Sequence, residues 1–358
     1  MTGRERFENI IKRKPVDRIG VHEHFWNDTL DQYHKEGKVK EGESLEDHFG
    51  FDLQEHWAFD LKVDYKAEDQ IVGETEDTVT ILDGNGAYLR RHKFHDTTPE
   101  HVDFSVKCRE DWEERKPLLT QVDEGRIDFE GYRKAKAEAE KAGRFFFWSG
   151  INVFECMHPV CGHENLLVGM ALDPEWVQDM ANTYAQLTMA LQEILFAKEG
   201  KPDGIWYYED MGFKERPFMS PAMYRELIMP YHKRTIGLAH SMGLPVVMHS
   251  CGFVEPLLGG MVEAGIDCLQ AMEVKAGMDL LRIKKNFGDR IALMGGIDVR
   301  CICSNDKAEI DRELEAKIPL VKQGGGYILH SDHSIPKTVE HETLQYFIQK
   351  GLELGKYE

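Results

Sequence analysis

From Gly143 onward the chain alternates short apolar strands with helical segments, and this regular alternation restricts the fold more than any other feature. Phe145-Phe146-Phe147-Trp148, Gly204-Ile205-Trp206-Tyr207-Tyr208, Leu244 to Met248, Ile266 to Ala271, Ile291 to Met294 and Tyr327 to His330 read as buried strands. Apolar, β-branched strands separated by helices imply parallel pairing through crossover helices. Ile19 to His22 and Phe51 to Glu55 bring the candidates to eight. Eight such units predict an α/β fold of the (β/α)8 TIM-barrel type. The helices carry their own start signals: Asp173-Pro174 opens one that runs to Phe196, and Ser220-Pro221 opens another that reaches Met242-Gly243. In both, a small polar residue accepts from free amides, and proline sits in the first turn, where its missing N–H costs nothing.

The N-terminal part reads differently. A helix is predicted over Thr2 to Lys12, ended by Lys14-Pro15. Between about Trp57 and Phe94 short alternating runs flank Asp83-Gly84, a hairpin signal. The chain of 358 residues is therefore expected to be one barrel domain over 1–358, with an N-terminal helical elaboration and a β-hairpin insertion at about 57–94. The charged stretch from Arg109 to Gly143 reads as a solvated helical face.

Charge narrows the partners. Lys plus Arg is 44 and Asp plus Glu is 63, a formal net charge of −19, which repels phosphate backbones and argues against nucleic-acid binding. No apolar run approaches the ~18 residues of a membrane span, and Met1 to Lys14 has no signal-peptide core. The expected compartment is the cytoplasm. Seven cysteines, an odd number, point to thiols or metal ligands instead of a disulfide framework, and Cys301-x-Cys303 reads as ordinary thiols.

In a barrel of this kind the reacting groups gather where the strands end. Val246-Val247-Met248-His249-Ser250-Cys251-Gly252 is the sharpest element there. His249 and Cys251 can offer an imidazole and a thiolate to one Zn²⁺, and Gly252 permits a tight turn directly afterwards. Glu273 closes the next strand and is the expected third ligand, with Asp332 or His333 completing or flanking the sphere. Tyr208, Glu209 and Asp210 are candidate catalytic groups, able to accept a proton or to orient a substrate. His22, His24, Trp26, Trp148, Glu155 and Tyr207 are candidates for substrate contact. His22-x-His24 also admits a metal-dependent hydrolase.

A set of motifs then carries a resemblance: Glu155, Cys161-Gly162-His163-Glu164-Asn165-Leu166, Asp173-Pro174-Glu175, Asp210-Met211-Gly212, Met219-Ser220-Pro221, Tyr224, Pro230-Tyr231 and His249-Ser250-Cys251-Gly252. Together they resemble the uroporphyrinogen decarboxylase superfamily, and more closely its cobalamin-dependent methyltransferase branch. The resemblance implies a barrel with N-terminal elaborations. Decarboxylases of this superfamily carry an arginine-rich segment after the first strand; here that segment is His22-Glu23-His24-Phe25-Trp26-Asn27, without arginine. A substrate with many carboxylates would meet poor charge complementarity.

The methyltransferases use the His-x-Cys pair, His249 and Cys251 here, to bind zinc. Their usual third ligand is a cysteine near the last strand, where this chain has His330-Ser331-Asp332-His333-Ser334. Barrels of the methionine synthase type place a glutamate on the strand after the pair, as Glu273 stands here. The activity implied is zinc-dependent methyl transfer between a corrinoid, carried by a partner protein, and a small thiol or methoxylated compound. A partner is implied because the chain shows no Asp-x-His-x-x-Gly cobalamin motif. A homodimer is compatible with the resemblance. The alternatives are a uroporphyrinogen decarboxylase-like lyase or tetrapyrrole-binding protein and, further off, the hydrolase.

Overall fold

The computed structural model describes residues 1–94 and 98–357. Its strands are β1 (Gly20–Val21), β2 (Leu53–Trp57), β3 (Gln70–Glu74), β4 (Thr78–Leu82), β5 (Ala87–His92), β6 (Glu100–Phe104), β7 (Phe145–Ile151), β8 (Gly204–Tyr208), β9 (Val246–Ser250), β10 (Cys268–Ala271), β11 (Ala292–Gly295) and β12 (Tyr327–Leu329). Eight of them form one parallel sheet in the order β1-β12-β11-β10-β9-β8-β7-β2. Helices connect the strands, so the fold is α/β with a curled parallel sheet of TIM-barrel-like architecture.

The curl brings the two end strands together. The Asp52 N–H donates to the Val21 carbonyl at 3.0 Å. No β1–β2 ladder follows, among the described residues, because β1 is two residues long and the Val21 N–H is taken by the Asp52 carboxylate at 3.0 Å. Arg6 and Arg18 hold that carboxylate from the other side, at 2.5 and 2.8 Å. The expected closed barrel is thus a curled sheet with a seam bridged mainly by side chains.

Strand register decides which side chains point inward. On β7, Phe145 and Phe147 join the inner cluster with Trp206, Val247, Cys268, Ala292, Met294 and Ile328, whereas Phe146 and Trp148 pack under the helices. Phe7, from the first helix Gly3–Ile11, plugs the amino-terminal end of the sheet with its ring 4.5 Å from Phe145 and 5.2 Å from Phe147. Each such ring contributes about 1.5–3 kcal/mol by leaving water. The same alternation aims Tyr208, His249 and Gln270 inward at the carboxyl end.

The helix starts follow their chemistry: Thr2, Asp173 and Ser220 each accept a first-turn backbone N–H. The helix predicted from Ser220 to Met242 is interrupted by a wider turn at Tyr224–Ile228 before Met229–Ser241. Pro230 cannot donate to the Glu226 carbonyl, and Gln178 Nε2 donates to it instead at 3.3 Å. Strands β3 to β6 make a separate four-stranded antiparallel sheet spanning residues 70 to 104, with the β4–β5 turn at Asp83-Gly84-Asn85-Gly86. Trp57 belongs to the parallel sheet. Gly162, at φ 77°, lets the Phe104 ring of β6 press against the helix Val153–Leu172, where a Cβ would lie 2.4 Å from it.

All seven cysteines are free. Among the described residues no helix is long and apolar enough to cross a membrane.

Candidate metal centre

The carboxyl ends of the parallel strands surround a cavity of about 450 Å³. Its lining includes His24, Trp26, Glu55, Tyr208, Asp210, His249, Cys251, Gln270, His330, Asp332 and His333, with no lysine or arginine among the described lining residues. Among the described residues two groups of metal-competent atoms lie at these strand ends, each with its donors within 4.8 Å of one another: Asp210, His249 and Cys251 on the cavity lining, and His24 and Glu55 on the lining with His22 buried behind them.

The first group is assembled by two loops pressed backbone to backbone. Cys251 Sγ is 3.3 Å from His249 Nε2, and Asp210 Oδ1 is also 3.3 Å from that nitrogen. The Cys251 N–H donates to Asp210 Oδ1 at 2.7 Å, and the Met211 N–H donates to Ser250 Oγ at 3.0 Å. Gln270 Oε1 accepts from the other His249 nitrogen, Nδ1, so Nε2 is the nitrogen that faces the group. Burial opposes charge on His249, but Cys251 and Asp210 outweigh it and hold the imidazole well above its ordinary range. Burial pushes the Cys251 thiol up, against the opposing pull of His249. Burial likewise opposes ionisation of Asp210, yet its hydrogen bond to His249 keeps its carboxyl low.

The expected third ligand lies elsewhere. Glu273 Oε2 accepts from the Gly252 N–H at 2.8 Å and is outside both donor groups; it supports the turn after Cys251. Asp332 accepts from the Val274 and Val299 amides at 2.7 and 2.8 Å, tying three strand ends together, while burial raises its carboxyl. His333 is stacked on Trp26 at 6.0 Å on the cavity wall. Asp210, read from the sequence as a catalytic acid, is the carboxylate that joins His249 and Cys251.

The second group lies on the wall formed by the seam. His24 Nε2 is 3.1 Å from Glu55 Oε1, and the Tyr208 hydroxyl lies 3.1 Å from each of His24 Nε2 and Glu55 Oε2. Ser149 Oγ donates to Glu55 Oε2 at 2.6 Å. Burial opposes ionisation of Glu55, but His24 holds its carboxyl down at about 2. His22 is buried, and burial, then His24, pull its imidazole well below the ordinary range.

Other sequence candidates sit away from the cavity. Glu209 is 0% exposed. Its carboxylate accepts from the Phe154 and Glu155 amides at 2.8 and 3.0 Å, an anion at the start of the helix Val153–Leu172, and pairs with His232 at 2.5 Å. Tyr207 bonds Gln192 under the helix Pro174–Glu199, and Trp148 packs between Phe59 and Tyr207. Glu155 accepts from the Asp210 N–H at 3.1 Å and pairs with His158 at 3.0 Å, so it supports the Asp210 loop. Glu55 and His330 are metal-competent groups that the sequence places at strand ends without a more specific role, and Gln270 is not marked by the sequence at all. Each ends or nearly ends a strand on the inward register, a signal that exists only once the register is known.

A family model described as Uroporphyrinogen decarboxylase (URO-D) matches residues 154–351, more than half of the chain. No curated protein matches. Among solved structures, a methyltransferase from Methanosarcina mazei is similar in fold, with a TM-score of 0.66 and 15% identity, covering 99% of this chain and 99% of that one. A 3-keto-D-glucoside 4-epimerase from E. coli is 12% identical over 71% of this chain and 96% of that one; its TM-score of 0.37 carries no argument.

Proposed function

The chain belongs to the uroporphyrinogen decarboxylase family, and from that premise we propose that it is a zinc-dependent methyltransferase. It would move a methyl group between a corrinoid, presented by a partner protein, and a small thiol or methoxylated compound. The observation that carries this reading is the grouping of Asp210, His249 and Cys251 at the mouth of the cavity. One carboxylate oxygen, one imidazole nitrogen and one sulfur form a donor set that suits Zn²⁺ and leaves a fourth position for substrate. Full-length similarity in fold to a methyltransferase supports it.

In this reading Asp210, His249 and Cys251 hold the zinc. Bound there, zinc supplies Lewis acidity, lowering the pKa of an acceptor thiol or polarising an ether oxygen. The chain's own residues do the positioning. Gln270 fixes the His249 tautomer, and Glu273 and Glu155 hold the two ligand loops. Trp26, stacked with His333, offers a flat apolar wall, and Tyr208 lines the cavity beside it with its hydroxyl donated to Glu55. A volume of about 450 Å³ suits a small molecule. A lining without lysine or arginine suits a substrate that is not a polycarboxylate. The working compartment in this reading is the cytoplasm, where the thiols stay reduced.

Elemental mass spectrometry on the purified chain, followed by assay of methylated corrinoid with thiols and methoxylated compounds, tests the reading. Zinc bound in a Cys251-dependent manner together with methyl turnover supports it. A chain that refuses zinc, or that holds zinc and decarboxylates a porphyrinogen without transferring methyl, overturns it.

A further inference from the structure

His22, His24 and Glu55 stand apart from the sulfur-containing group, with their donor atoms within 4.8 Å of one another. His330 Nδ1 lies 2.5 Å from the Ser331 carbonyl, which can only accept, so Nδ1 carries the proton. The Gln270 amide nitrogen donates to His330 Nε2 at 3.4 Å, which makes that nitrogen an acceptor. His24 Nδ1, 3.2 Å from the same nitrogen, must therefore donate to it. That leaves His24 Nε2 facing Glu55 Oε1 at 3.1 Å, a gap that either an imidazolium proton or a cation fills. The Tyr208 hydroxyl reaches both groups. Beside them, His22 is 4% exposed and neither of its ring nitrogens has a hydrogen-bond partner. A buried polar atom left unpaired costs about 1–3 kcal/mol.

We infer that His22, His24 and Glu55 form a second metal site, for a divalent transition-metal cation held by two imidazole nitrogens and one carboxylate oxygen. A cation among these donors takes the place of a proton between His24 and Glu55 and also engages one orphaned His22 nitrogen, which that proton cannot do. The supporting groups match those of a metal ligand set: Ser149 and Tyr208 donate to the Glu55 carboxylate, and His330 orients His24. The donor set contains no sulfur and leaves coordination positions open towards the cavity, so it favours borderline cations such as Zn²⁺, Co²⁺ or Fe²⁺. Tyr208 separates the two groups, with its ring 4.9 Å from the His249 ring and its hydroxyl on the second group. The inference does not rest on methyl transfer, only on the donors themselves.

The test is Co²⁺ titration of the full chain after chelator treatment, read by equilibrium binding and by absorption. Wild type is expected to take two equivalents, one with a sulfur-to-cobalt charge-transfer band and one with ligand-field bands only. Cys251→Ala should abolish the charge-transfer band and keep the second equivalent. His24→Ala and the near-isosteric Glu55→Gln should keep the charge-transfer band and weaken the sulfur-free equivalent by roughly 100-fold. Thermal unfolding of each variant, followed by circular dichroism, separates loss of a site from loss of the fold. A single equivalent in wild type, lost entirely in Cys251→Ala, overturns the second site while leaving the zinc reading standing; it means that a proton alone sits between His24 and Glu55. A single sulfur-free equivalent does the reverse.

Discussion

Gly212 and Gly252 touch through their backbones. A Cβ on Gly252 would lie 2.3 Å from the Gly212 carbonyl carbon, and one on Gly212 would lie 2.4 Å from the Cys251 oxygen. This contact lets the loop carrying Asp210 rest directly on the loop carrying Cys251, which puts a carboxylate beside a thiol from two different strands. Gly252 also sits at φ 74°, where a side chain is strained.

Gly252→Ala is therefore expected to push the two loops apart. Left-handed strain and overpacking together cost roughly 2–4 kcal/mol. Affinity for the Asp210–His249–Cys251 metal should fall by more than tenfold while the circular dichroism spectrum stays that of wild type. Unchanged affinity would show that loop contact does not set the ligand geometry.

Gln270→Leu removes the acceptor that fixes the His249 tautomer. Metal affinity should drop by about 10–100-fold, the usual cost of losing such a partner, with little change in the cavity wall. Isothermal titration of the metal-free chain with Zn²⁺ measures it directly.

Asp210→Asn distinguishes a ligand from a general acid. As a ligand, Asp210 is needed for tight metal binding, so the variant should lose Zn²⁺ by roughly two orders of magnitude. If the variant holds zinc as wild type does but transfers no methyl, Asp210 acts as a catalytic acid, the role expected from the sequence.

Asp52→Ala attacks the seam. It removes one of the two carboxylates that hold Arg6, the Asp17 pair remaining, and leaves the buried Val21 amide unpaired, a loss of about 1–3 kcal/mol. Urea denaturation should show a lower midpoint with an unchanged slope.

Stability should also depend on Glu23, whose carboxyl burial pushes up from an ordinary 4.5 to about 8. Between those values the folded chain binds the extra proton. The contribution is fully present below about pH 4.5 and is lost as pH rises through about 8. Glu23→Gln, which mimics the protonated acid towards Ser331, should lose less melting temperature than wild type between pH 6 and pH 9. Parallel melting curves for the two proteins would refute this.

The eight parallel strands were legible in the sequence because each is a short apolar run bounded by loop residues and separated by a helix-length segment. The grouping of His249 with Cys251 was legible for a related reason: two metal-competent side chains two residues apart at a strand exit are a local pattern. What followed from tertiary structure alone was the partner of that pair. Glu273 stands at the end of the next strand and looks equivalent to a ligand in one dimension, yet its carboxylate turns to the Gly252 amide. Asp210 comes from the preceding strand and reaches Cys251 because two glycines allow the loops to touch.

Register made the same kind of decision along each strand. Tyr207 and Tyr208 are adjacent and alike in composition, but one faces Gln192 beneath a helix and the other faces the cavity. A residue's neighbours along the chain determined whether it would be buried. Which atoms it would meet there depended on a two-residue period whose phase is set by how strands from distant parts of the chain pair, and that phase is a property of the folded sheet alone.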